Sequence, residues 1–188
     1  MTPLLLQYDL VEDLKECLSD LRFPNQHGET VPIGIFRNSL PILRHKDYSE
    51  MEYNETEVGA DPHPADLTND LIEAEQDDPF PYVIVRLSHG NVKNPEFPQT
   101  VDVVFIIGVY SDKPDQSGTD GILTIIDRIY ERYAKNPIVH GRKAKIRFDG
   151  EQQLFHWVLQ DDDTWPYYFG AVQAEFEMMP IERVSKYT

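Results

Sequence analysis

The run Val101–Tyr110 constrains this chain more than any other segment. As an extended strand it places Val101, Val103, Phe105, Ile107 and Val109 on one face. Val104, Ile106 and Tyr110 fall on the other. Side chains alternate across a strand, so both faces are apolar. Such a strand is central in a sheet, or has one face on a helix and the other on a partner. Val104 and Ile106 are therefore candidate contact residues.

The neighbouring segments predict what surrounds that strand. Thr2-Pro3 supplies an N-cap and a first-turn proline, and Asp9 with Glu12 marks a second possible start. Leu10, Leu14, Leu18 and Leu21 share one helical face, which predicts a helix ending near Arg22. Glu12, Asp13, Glu16 and Asp20 lie off that stripe. Val31 to Arg37 reads as an edge strand weakened by Pro32 and Gly34. Tyr82–Leu87 alternates as a strand. A second helix is predicted from about Thr119 to Lys135, buried along Ile122, Ile125, Ile126, Ile129, Tyr130 and Tyr133. Ser117 and Asp120 resemble a capping box at its start. Three further strands are expected at about Ile138–Arg147, Leu154–Gln160 and Tyr167–Met179, with Asp149-Gly150 as a hairpin turn between the first two. The pattern predicts an α+β fold: a single domain with one curved, mostly antiparallel sheet and two main helices on one face.

Charge divides the chain unevenly. The 188 residues hold 33 acids and 17 bases, a net charge of −16. Twelve acids and no Lys or Arg fall between Asp47 and Asp78, leaving 21 acids against 17 bases elsewhere. Residues 44–80 show no sustained period and read as a long acidic loop, functional or disordered. An acidic surface repels phosphate backbones and disfavours ordinary nucleic-acid binding. The single cysteine, Cys17, excludes an internal disulfide. No apolar run approaches the ~18 residues of a membrane span, and the N-terminus lacks a signal-peptide pattern. The expectation is a soluble intracellular protein with no membrane contact.

Catalytic patterns are missing. There is no phosphate-binding loop and no HExxH. The Asp61-Pro62-His63 cluster, the 112–120 acids and Asp161-Asp162-Asp163 read as solvated loops rather than metal sites. Cys17 reads as packing. Ser88 and His89 are adjacent on a strand, so they point to opposite faces. No enzyme activity, cofactor or metal is expected. Arg142, Lys143, Lys145 and Arg147 form the one basic run; Lys143, Lys145 and Arg147 share a strand face. They read either as a wet face or as a contact for an acidic partner, such as another copy of this chain. Trp165 and Tyr167 read either as core plugs or as interface anchors.

Pro79–Arg86, the strand Val101–Tyr110, the acid-led helix Gly118–Asp127 and the C-terminal hairpins resemble the tail-terminator and tail-completion proteins of long-tailed phages and prophages. The likeness lies in element order and length over about residues 79–180, with an echo in the first helix and strand. It implies a small structural protein that forms a ring, expected to be a hexamer, at the head-proximal end of the tail. Its implied partners are its own copies, the tail tube protein and head–tail connector proteins, with DNA only as passing cargo. Its implied place is the host cytoplasm during assembly, then the virion. On that reading Arg142, Lys143, Lys145, Arg147, Val104, Ile106, Trp165 and Tyr167 are the expected subunit or tube contacts. Two alternatives stand beside it: an acidic DNA mimic that inhibits a DNA-binding protein, and another connector such as a stopper.

Overall fold

The computed structural model describes residues 1–41, 79–94, 96–113, 117–139, 144–148, 155–162 and 164–180. The acidic segment read as a loop lies outside them except for Pro79 and Phe80, as does the Asp149-Gly150 turn.

Helix α1 spans Pro3–Cys17. Thr2 is extended and its side chain accepts from the Leu5 amide at 3.4 Å. The helix ends a turn earlier than the leucine stripe predicts, at the Leu18 cap. The chain then forms a small ladder that the sequence pattern hides: β1 (Arg22–Pro24) antiparallel to β2 (Thr30–Pro32). Asn25 organises the turn between them, accepting from the His27 and Glu29 amides at 3.0 and 2.8 Å. The predicted strand at 31–37 is thus divided. Pro32, without an N–H, closes β2, and Gly34–Arg37 becomes β3 in the main sheet.

That main sheet adds β4 (Tyr82–Asn91), β5 (Gln99–Tyr110), β6 (Ala144–Ile146), β7 (Phe155–Leu159) and β8 (Tyr167–Met178). Its order is β3-β4-β5-β8, with β6 and β7 both on the far edge of β8. β3 runs parallel to β4, and every other pairing is antiparallel. Helix α2 spans Ser117–Lys135. Among the described residues the chain is therefore an α+β protein: two helices against a mixed, mostly antiparallel six-stranded sheet.

β5 is central, as its two apolar faces require. Val101, Val103, Phe105, Ile107 and Val109 are buried under the helices with Val83 and Val85 of β4 and Val172, Ala174 and Phe176 of β8. Leu6, Leu10 and Leu14 of α1 and Ile122, Ile125, Ile126 and Ile129 of α2 close that core.

Three expectations are corrected. β6 and β7 form no hairpin with each other: Ile146 stands opposite Phe176 and Phe155 opposite Ala174. They run in one direction along one edge of β8. Tyr130 is half exposed rather than in the buried stripe, its ring against Phe148 and Phe155. Asp13, off the leucine stripe, is buried all the same, because α2 packs over it and Arg132 meets it at 2.6 Å.

Candidate interaction surfaces

The face of the sheet away from the helices has two ends of different chemistry. Register aligns Ile84, Ile106 and Ala171 across it, then Arg86, Val104 and Gln173. Ile84 is buried, whereas Val104 and Ile106 are half-buried with no described helix over them. Towards Tyr110 the face becomes aromatic. The Phe80 ring packs against Tyr82, Tyr167 and Phe169 at 5.1, 5.1 and 5.9 Å between centroids. Tyr110 packs on Tyr167 at 5.7 Å. Gly108 makes this possible: a Cβ there would lie 2.5 Å from the Tyr82 ring. Burial raises the Tyr82 phenol pKa, so the ring stays neutral.

Tyr167 is half-buried within that cluster, and its hydroxyl accepts from Gln26 Nε2 at 3.0 Å. It serves as a plug of the sheet's outer face. Trp165 is different, 56% exposed at the β7–β8 turn. It lines an open cleft of about 580 Å³ with Thr119, Ile122, Leu159, Tyr168 and Phe169, and Asp161 and Asp162 sit at the same cleft. Gly118 lets the start of α2 approach this place, since a Cβ would meet the Tyr168 ring at 2.0 Å.

The opposite end of the outer face is charged. Lys145 meets Glu177 at 3.6 Å, and Arg147 pairs with Glu175 and reaches Glu177 at 3.9 Å. The acidic partner sought for this basic stripe is thus present within the chain, on β8. Arg142 and Lys143 lie outside the described residues. The sequence holds both halves of this cluster, because alternation puts Glu175 and Glu177 on one face of the last strand. The missing piece was that β6 lies beside β8.

Burial, then the Asp13 charge, pushes the Cys17 thiol up to about 12, so it stays protonated at neutral pH. A register shift separates Leu87 from His89, and the Ser88 hydroxyl donates to the Asp102 carbonyl at 3.3 Å. Asp161 and Asp162 are exposed, and Asp163 is outside the described residues. Among the described residues no three His, Cys, Asp or Glu side chains converge to hold a metal ion.

No protein-family model matches this chain, and no curated protein matches it.

Proposed function

We propose that this protein is a structural subunit of virion assembly, a tail terminator that forms a ring, caps the tail tube and joins it to the head. The observation that carries this reading is the sheet face around Val104 and Ile106, which no described helix covers. A ring subunit needs apolar strand surface to offer its neighbours, and that face offers it beside a rigid aromatic cluster. A net charge of −16 suits a ring through which DNA passes without sticking. The element order over residues 79–180, the basis of the resemblance, remains compatible with the observed α+β architecture.

Purified tail-tube protein of the same phage supplies the test. The wild-type chain is expected to stop tube growth and to bind tube ends. Ile106→Lys, at a half-buried outer position, is expected to fold and to lose both effects. If the wild type neither stops growth nor binds ends, yet binds a basic DNA-binding protein tightly, the terminator reading fails and the DNA-mimic reading replaces it.

A further inference from the structure

The cleft beside Trp165 is held by fixed elements. Ile122 of α2, Leu159 at the end of β7 and Phe169 of β8 give it an apolar lining. Backbone bonds secure the turn that borders it. The Gln160 amide donates to the Phe169 carbonyl at 3.1 Å, and the Tyr167 amide to the Thr164 carbonyl at 2.9 Å. The Ser111 amide donates to the Pro166 carbonyl at 2.9 Å, which ties the residue after Trp165 to the end of β5. Trp165 is thus exposed on a backbone that is pinned. At about 580 Å³ the cleft has the size of a ligand site, not of a gap in packing.

Its charge has one sign. Asp161 and Asp162 line it, and no Lys, Arg or His does. Among the described residues neither carboxylate forms an ion pair. The start of α2 lies at the same cleft through Thr119, and a helix N-terminus carries about half a positive charge. Two carboxylates outweigh it, and Asp120 in the first turn of α2 offsets it further. The cleft therefore selects a cation, and the aromatic walls of Trp165 and Tyr168 select one that stacks.

We infer that this cleft receives an arginine side chain presented by an exposed segment of a basic partner protein. A guanidinium is planar, stacks on aromatic faces and carries a fork of donors that matches carboxylates. Its methylene stem covers apolar surface while its head stays polar, which suits Ile122 and Leu159 below two exposed acids. A lysine ammonium is a compact, strongly hydrated point charge and uses the rings less well. The cleft is larger than one side chain, so the residues flanking the arginine enter with it. The net charge of −16 repels a second copy of this chain and attracts a basic protein, so it favours a different partner. The inference does not rest on the terminator reading and holds whether or not the chain caps a tube.

The experiment titrates the full chain, carrying Trp157→Phe so that Trp165 is the one tryptophan left, with a blocked Gly-Arg-Gly tripeptide. Trp165 emission is expected to change saturably at millimolar peptide. The same tripeptide with citrulline, the neutral isostere of arginine, is expected to leave it unchanged, as is inorganic phosphate. Asp161→Asn with Asp162→Asn is expected to weaken binding about tenfold, the loss of one charge-assisted contact, at an unchanged melting temperature. Thr119→Arg supplies the cation from within the chain and is expected to block the peptide. A flat titration with the arginine peptide overturns the inference. So does an equal response to the citrulline or the lysine tripeptide, or to phosphate. Binding that persists undiminished in the two-aspartate variant also overturns it, because the peptide then sits on other acids of the chain.

Discussion

Asp13 and Arg132 lie where α1 crosses α2, and little water reaches the carboxylate, whose side chain is 3% exposed. Arg132 also donates to the Asn136 carbonyl at 2.6 Å, which fixes the end of α2. The second Asp13 oxygen and the Tyr133 hydroxyl are buried without a hydrogen-bond partner of good geometry. Burial first, and then the Asp13 charge, raises the Tyr133 pKa well above its ordinary value. Removing the cation alone leaves a buried charge uncompensated, which costs about 3 kcal/mol or more. Arg132→Met should thus lower the urea midpoint sharply at constant slope, and Asp13→Leu with Arg132→Met should recover most of the loss. Cys17 beside them gives a pH prediction. Its folded pKa, about 12, exceeds the unfolded value of about 8.5. The protonated thiol therefore contributes stability that is fully present below about pH 8.5. It is lost as pH rises from there towards the folded value. Cys17→Ala should flatten part of the alkaline decline seen in melts at successive pH values, and the native thiol should react slowly with disulfide reagents at pH 8.

At the scale of elements, Gly108 and Tyr82 test how the outer face is built. Gly108→Ala would push a methyl into the Tyr82 ring, and overpacking of this kind costs about 1–3 kcal/mol. In a Tyr82→Ala background the same change should cost far less, a coupling that a double-mutant cycle measures. The elements themselves were legible in proportion to how local their signals are. β5, β8 and α2 are long and strongly periodic, and their positions follow from side-chain alternation and stripe alone. The parallel pairing of β3 with β4 joins segments far apart in the chain, and no local pattern encodes it. The supposed β6–β7 hairpin rested on Asp149-Gly150, a good turn dipeptide, but turn chemistry does not say which strands a turn connects. Tertiary pairing with β8 decided that. Asp13 escaped the leucine stripe because one helix's periodicity does not see the second helix packed over it. For the surfaces, Val104 and Ile106 were readable as an apolar outer face. The place of β6 and β7 along one edge of β8 was not, since an edge exists only once neighbours are known.

At the scale of the whole molecule, the question is which forces bring copies together. Had Lys145 and Arg147 been free cations, they would attract acidic surface on a neighbour, and salt would weaken the assembly. Both instead meet Glu175 and Glu177 on the adjacent strand. Among the described residues, the apolar side chains left to make contacts include Val104 and Ile106 on the outer face. Against them stands the mutual repulsion of chains carrying −16 each. Screening shortens that repulsion from a range of about 10 Å at 0.1 M salt to about 3 Å at 1 M, while apolar burial is left intact. Self-association should therefore strengthen as sodium chloride is raised over that range, measured as sedimentation mass at one fixed protein concentration. Lys145→Glu should leave this trend in place and lower the stability of the single chain instead. It sets a like charge directly opposite Glu177 across the β6–β8 pair, at a cost of up to about 1 kcal/mol. Association that falls steadily with salt would mean that charge pairs between copies, not the apolar sheet surfaces, hold the assembly.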